Sequence, residues 1–251
     1  MDSFEDGGTS TYHGLLVSVQ RRTSKGLTLN GNYTWSHCIG DNATGGASPN
    51  VGTAYQFEND RSLDRGNCAS DRRHNLNLTA VARTPQFANR ALHAVATGWS
   101  LSGLYRLSSG GYLTVTSGVD RALNGNGGQR ANQILANPYG AKTLENYLNP
   151  AAFTQPDLGT LSTMSPRNIV GPANWQFDMA LTRSFQIREA QRMEFRVEAF
   201  NVTNSLRKGN PGATAAAPFL PATNAINSNT FGQITTSGDA RVMQFALKYL
   251  F

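Results

Sequence analysis

The chain has 251 residues, a formal net charge of +6 and only 15% charged residues, with 25 glycines and an abundance of Asn, Ser and Thr. That length holds one large or two modest domains, and a composition short of helix formers and rich in turn formers points to an all-β protein. The positive charge is spread along the chain without a Lys/Arg cluster interleaved with aromatics, which speaks against nucleic acid as a partner, and no run approaches the roughly 18 consecutive apolar residues of a transmembrane helix.

A negative mean hydropathy still suits strands of which only one face meets lipid. The beginning, Met1-Asp2-Ser3-Phe4-Glu5-Asp6, has neither a basic region nor an apolar core, so it is not a signal peptide. If the protein is exported, such a beginning is expected of a mature product or of a piece of something longer.

Period-two alternation predicts seven strands in chain order. The first covers residues 12–22, with Leu15, Val17 and Val19 on one face. The second covers 26–38, with Leu27, Leu29, Tyr33 and Trp35 against Thr28, Asn30, Asn32 and Thr34. The third, 73–84, sets Leu76, Leu78, Ala80 and Ala82 against Asn75, Asn77, Thr79 and Arg83. The fourth, 98–109, sets Trp99, Leu101, Gly103, Tyr105 and Leu107 against Ser100, Ser102 and Arg106; residues 112–116 are a possible extension past a bulge at Gly110-Gly111. The fifth, 174–187, carries Trp175, Phe177, Met179, Leu181 and Phe185 against Gln176, Asp178, Thr182, Ser184 and Gln186. The sixth, 191–203, carries Met193, Phe195, Val197 and Ala199 against Arg192, Glu194, Arg196 and Glu198. The last, 241–251, alternates Met243, Phe245, Leu247, Tyr249 and Phe251 with Gln244, Ala246 and Lys248. Each is near or above the roughly 9–11 residues that a tilted strand needs to cross a bilayer.

The connections alternate in length. Thr23-Ser24-Lys25 and Arg188-Glu189-Ala190 are tight turns, and the link after the third strand, through Pro85, is moderate. Residues 39–72, 117–173 and 204–240 are long. Tight periplasmic turns and large outer loops are the habit of a membrane barrel, whereas a compact soluble domain rarely keeps such loops. The aromatics fit two interfacial belts: Tyr33, Trp35 and Trp175 toward one end, and Trp99, Phe185, Tyr249 and Phe251 toward the other.

Sites for chemistry are few. Glu194 and Glu198 have the residue types of an acid/base pair, but they alternate with Arg196 on the polar side of a hairpin in which Ser184 faces Glu194 and Thr182 faces Arg196. A charge ladder on a lumen wall, with Asp178 on the same face, is the simpler reading, and no catalytic, cofactor or metal residues are expected. Asp60, Asp64, Asp71 and His74 gather near the end of one loop without a calcium-loop spacing. Asn124-Gly125-Asn126-Gly127-Gly128 lacks the helix signal and Lys-Ser/Thr of a phosphate cradle. Cys38 and Cys68 either close one long loop as a disulfide, which would suit an oxidising compartment, or are two unrelated thiols.

A set of motifs resembles a known family. These are Asp64-Arg65-Gly66 with Ser70-Asp71-Arg72-Arg73-His74; Leu148-Asn149-Pro150-Ala151-Ala152-Phe153; Pro166-Arg167-Asn168 with Gly171-Pro172; the run from Met193 through Phe200-Asn201-Val202-Thr203-Asn204; Asn229-Thr230-Phe231-Gly232-Gln233-Ile234; and the terminal strand. In order and spacing they resemble the carboxy-terminal barrel portion of TonB-dependent outer-membrane receptors, in particular the Oar-like subgroup with a carboxypeptidase-regulatory-like domain. Val202-Thr203-Asn204-Ser205 departs from the more usual aromatic-Asn-His. The resemblance implies that residues 1–251 are an antiparallel, up-and-down segment of a transmembrane β-barrel of about 22 strands, with the plug domain and the early strands absent. It implies outer-membrane localisation, energy-coupled uptake of a large or scarce solute, and as partners outer-membrane lipid, the rest of the barrel and plug, the TonB complex and the barrel-assembly machinery. For the latter, Phe245, Leu247, Tyr249 and Phe251 would be the assembly signal. The alternatives are a self-contained small outer-membrane barrel acting as adhesin or porin, and a secreted sugar-binding or hydrolytic β-protein with a dry core between sheets.

Overall fold

The computed structural model describes residues 8–23, 26–41, 55–56, 60–188, 191–213, 215–216, 218–219 and 223–251. Seven long strands make the wall of the molecule: β1 (Ser10–Arg22), β2 (Leu27–Gly40), β3 (His74–Arg83), β4 (Trp99–Ser108), β5 (Asn174–Arg188), β6 (Gln191–Phe200) and β7 (Val242–Leu250). They pair antiparallel in strict sequence order, and Gly66–Asn67 adds a short rung to the end of β2. The path is open, with β1 and β7 at its two edges. The two tight turns of the sequence reading fall partly on residues 24–25 and 189–190, which lie outside the described residues, as do Met1 to Asp6.

The register shows why these residues make one wall. Residues directly opposite each other share a face, so a face can be followed from strand to strand. One rung runs Val17, Tyr33, Leu76, Leu107, Trp175; another runs Leu27, Ala82, Leu101, Leu181, Val197, Phe245. On the opposite face the rungs read Ser18, Asn32, Asn77, Arg106, Gln176 and then Ser100, Thr182, Arg196, Ala246. The hairpin β5–β6 has the expected alignment, with Thr182 opposite Arg196 and Ser184 opposite Glu194. Among the described residues the apolar face packs against no second sheet; Leu78, Leu101, Phe245 and Leu247 are exposed.

Three departures have local causes. Tyr112–Thr116 does not extend β4. It pairs with Ile169–Val170 and, in parallel, with Thr223–Ala225 as a separate small sheet. The chain leaves the wall at Gly110, where a Cβ would lie 1.7 Å from the carbonyl oxygen of Gly171, so only glycine permits the crossing. The sixth strand stops at Phe200 rather than 203, because Asn201 and Asn204 both adopt positive φ (50° and 49°), a conformation that asparagine tolerates and a strand does not. The link between β3 and β4, read from the sequence only as a moderate connection through Pro85, contains the two-turn helix α1 (Arg90–Ala96), capped by Asn89.

The buried apolar core is not in the wall. It lies among the long connections, where Leu113, Val115, Tyr147, Leu148, Phe153, Ile169, Phe231 and Ile234 pack together from segments far apart in sequence. Fully burying a side chain such as Leu113, Leu148 or Ile169 stabilises by about 1.5–3 kcal/mol, so the loops of residues 109–173 and 204–240 form one folded lobe at the end of the wall remote from the tight turns. We call the two ends of the wall the loop end and the turn end.

Candidate functional site: the polar face and its loop lobe

The polar face of the wall is organised by charge. Arg196 lies between Glu194 and Glu198 on the same face of β6, its Nη2 donating to Glu194 Oε1 at 3.1 Å and its Nη1 to Glu198 Oε1 at 3.4 Å. Lys248 stands opposite Glu194 on β7, and Gln244 opposite Glu198. The spacing of two along a strand puts all three side chains in one row, and Arg196 bonds both carboxylates. That leaves neither Glu as an isolated proton donor in an apolar pocket, which is what an acid/base pair requires.

Asp178 sits at the loop end of the same face and is nearly buried. Its Oδ2 accepts from Arg106 Nη2 at 2.7 Å, and its Oδ1 accepts from Gln176 Nε2 at 2.6 Å and from the backbone N–H of Asn201 at 2.8 Å. The carboxylate thus ties β4, β5 and the end of β6 together. Asn201, 1% exposed, continues this knot: its side chain accepts from Ser205 N and donates to the carbonyls of Ser205 and Asp239. The motif Phe200-Asn201-Val202-Thr203-Asn204 is therefore a strand terminator, a role that its polarity hinted at and that periodicity alone missed.

The lobe overhangs this polar face. Arg207 Nη1 donates to Gln176 Oε1 at 2.5 Å, and Arg72 Nη2 donates to the carbonyl of Phe219 at 2.9 Å. Arg72, Arg106 and Arg207, with Asn75, Asn77 and Gln176, line a cup of about 290 Å³ that Trp175 and Phe219 also border. Burial lowers the pKa of Arg72, and the neighbouring Asp71 opposes that shift. The apolar face has a depression of about 620 Å³, floored by the small residues Gly31, Ala80 and Gly103 between Leu29, Leu78 and Tyr105.

Within the lobe, Arg130 and Asp64 form a buried ion pair at 2.5 Å, each side chain 5% exposed. Arg130 also donates to the carbonyls of Met164 at 2.8 Å and Leu63 at 2.5 Å, and Asp64 accepts from the N–H of Gln56 at 2.7 Å. Burial depresses the Arg130 pKa and the bond to Asp64 counteracts it. Arg167 donates to the carbonyls of Asn67, Gly40 and Asp64. Burial pushes the Tyr147 hydroxyl above its ordinary range, reinforced by Tyr139. Where the wall meets the lobe, burial would raise the Asp41 carboxyl, but bonds from the N–H and hydroxyl of Thr9 outweigh it and hold the group low.

Among the described residues of the second loop, each of the predicted acidic and histidine side chains bonds another protein group. Asp64 pairs with Arg130, Asp71 bonds His37 at 2.9 Å, His74 bonds the Tyr33 hydroxyl at 2.8 Å, and Asp60 caps the turn Arg61–Asp64. Among the described residues no group of three potential metal ligands occurs. The glycine-rich stretch closes on protein groups: Asp120 accepts from the N–H groups of Asn124 and Gly125, and Gln129 Nε2 donates to Asp120 at 2.7 Å. Cys38 and Cys68 form a disulfide that clips the end of β2 to its following loop. Phe245, Leu247 and Tyr249 project from the apolar face of the edge strand β7, and Tyr249 stacks on Phe251 at 6.1 Å.

This geometry separates lipid chemistry from water chemistry. One face is mainly apolar, with Arg21 and Arg183 toward the turn end, and the other carries paired charges and is overhung by a folded lobe. No helix among the described residues is long and apolar enough to cross a membrane, a fact that does not bear on crossing by strands. No curated protein and no solved structure matches the chain. The family model for the outer membrane beta barrel domain, however, matches residues 1–244. A match over nearly the full length, on a sheet with one apolar and one polar face, makes the chain a member of the outer membrane beta barrel domain family, located in the outer membrane.

Proposed function

We propose that this chain forms part of the wall of a TonB-dependent outer-membrane receptor that takes up a large or scarce solute. The observation that carries the reading is the two-faced register: seven strands in sequence order keep one apolar face, while the lobe folds over the polar face, the side that would line a lumen. In this reading Asp178, Glu194, Arg196 and Glu198 line the lumen and catalyse nothing. The motif series Asp64-Arg65-Gly66, Leu148 through Phe153, and Met193 through Asn204 supports the receptor class by resemblance. The open edges β1 and β7 support a larger barrel, since unpaired backbone groups are not tolerated in hydrocarbon. The long loops and lobe then face outward and the tight turns face the periplasm.

Three measurements test the reading. A nitroxide at position 195 should relax with lipid-soluble oxygen and one at 196 with a water-soluble nickel complex. The reverse would shift the register by one residue and turn every assignment on β6 inside out. Cysteines placed on β1 and β7 should fail to cross-link to each other within one chain; efficient cross-linking would establish a self-closed small barrel. Photo-cross-linking of the native gene product in cells should give an adduct with TonB, and its absence would overturn the energy-coupled part.

A further inference from the structure

At the turn end, the link between β3 and β4 folds back as α1 and is fastened to the apolar side of the wall. Trp99 Nε1 donates to the carbonyl of Val95 at 2.8 Å, and Arg183 Nη2 donates to the carbonyl of Ala94. Trp99 and Arg183 stand opposite each other on the apolar face of β4 and β5. Gly98, at φ +82°, allows the return: a Cβ there would lie 2.5 Å from the carbonyl oxygen of Ser184. Two features of this corner suit the edge of a membrane. Leu92 and Val95, one turn apart on α1, are 51% and 69% exposed. The guanidinium of Arg183 lies on the mainly apolar face, which also carries Arg21 near the same end; it is stacked over Trp99 at 5.0 Å and Phe185 at 4.4 Å, and among the described residues it has no carboxylate partner.

A cation on the lipid-facing side is tolerated at headgroup level and not at the midplane. A short amphipathic helix at that level lies in the interface with its apolar side chains toward the acyl region. Stacking between two rings and a bond to a neutral carbonyl fix the guanidinium while leaving its charge uncompensated, and a planar guanidinium fixed this way suits an oxyanion. We propose that Arg183, Trp99, Phe185 and α1 form a binding site for the phosphate of an anionic phospholipid in the periplasmic leaflet, with Leu92 and Val95 seated among the acyl chains. The leaflet rests on the orientation given under Proposed function.

The test uses protein solubilised from outer membranes, delipidated and titrated with phosphatidylglycerol, phosphatidylcholine, lipopolysaccharide or inorganic phosphate, with bound lipid counted by native mass spectrometry. Phosphatidylglycerol should be preferred over phosphatidylcholine by about fivefold, the effect expected of one cation near an anionic surface. Arg183→Gln should abolish the preference and Arg183→Lys should keep part of it. An unchanged preference in Arg183→Gln would overturn the proposal. Competition by millimolar inorganic phosphate would reveal a soluble-anion site and also overturn it. A preference for lipopolysaccharide would place the corner in the outer leaflet, overturning both the phospholipid assignment and the orientation. Loss of the site with the spin-label pattern at 195 and 196 intact would leave the wall reading standing. Should Arg183→Gln fail to assemble, a nitroxide on Leu92→Cys decides with Arg183 present: relaxation by oxygen supports the site, and relaxation by aqueous nickel refutes it.

Discussion

Replacing Arg130 with Met isolates the contribution of the buried pair to the lobe. The substitution keeps most of the side-chain volume and removes the cation from an environment in which it is 5% exposed. Three donations are lost, to Asp64 Oδ1 and to the carbonyls of Met164 and Leu63. The larger effect is on Asp64, which keeps its bond from the Gln56 N–H and the attraction of the nearby Arg167 but loses the cation bonded to its carboxylate. Breaking a buried pair from one side costs about 3–5 kcal/mol. The appropriate assay is amide hydrogen exchange at Ser117 and Ala131, whose N–H groups bond the carbonyls of Gln129 and Val115 beside the pair. Since each 1.4 kcal/mol is tenfold in an equilibrium constant, those amides should exchange about a hundredfold to several thousandfold faster, while amides of β5 and β6 keep their rates. The double variant Asp64→Leu with Arg130→Met should recover most of the protection, because apolar replacement of a whole pair is often neutral. Acceleration below about tenfold in the single variant would show that the lobe does not depend on the pair and would refute the reasoning.

Four further outcomes are expected. Phe195→Arg should cost about 2–4 kcal/mol of folding in lipid if it nears the midplane, and Arg196→Gln far less; equal losses in a heat-modifiability assay would contradict the assigned faces. Cys38→Ser should destabilise by about 3.5 kcal/mol in the chain-entropy treatment of a bridge spanning 30 residues, seen as proteolysis of the second loop; unaltered protease resistance would mean that the other loop contacts suffice. Gly98→Ala forces a Cβ into Ser184 at a positive φ and should weaken β4–β5 pairing by at least about 1 kcal/mol, read by exchange at the Ser184 amide; wild-type exchange there would show that the corner relaxes. Removing Tyr249-Leu250-Phe251 from the native gene product should abolish outer-membrane assembly, and normal levels on quantitative blotting would show that Phe245 and Leu247 alone carry the signal.

The wall was legible from residue types because period two is enforced twice, by hydrocarbon on one face and water on the other. Each strand from Leu15 to Tyr249 alternates with period two, broken by few residues, and the short hairpins fix the pairing. The lobe was not legible. Its core side chains, such as Leu148, Phe153 and Ile169, come from stretches with no periodicity, and they meet through turns closed by side-chain bonds such as Gln129 to Asp120. Arg183 escaped notice for a related reason. It breaks the apolar parity of β5, and its explanation lies 89 residues away in the Ala94 carbonyl. Asn201 is a polar residue at an apolar-face position after Ala199, a hint of the strand's end that its left-handed backbone makes explicit.

Because a single core is shared by connections that lie on both sides of β5 and β6, the surface at the loop end is a composite one. A binder that recognises it, whether antibody or phage tail, would read side chains brought together from several connections at once. Linear peptides copied from residues 117–173 should therefore compete poorly for such a binder. An insertion in any one connection should alter recognition of epitopes contributed by the others, so that antigenic drift at this end proceeds by blocks rather than loop by loop.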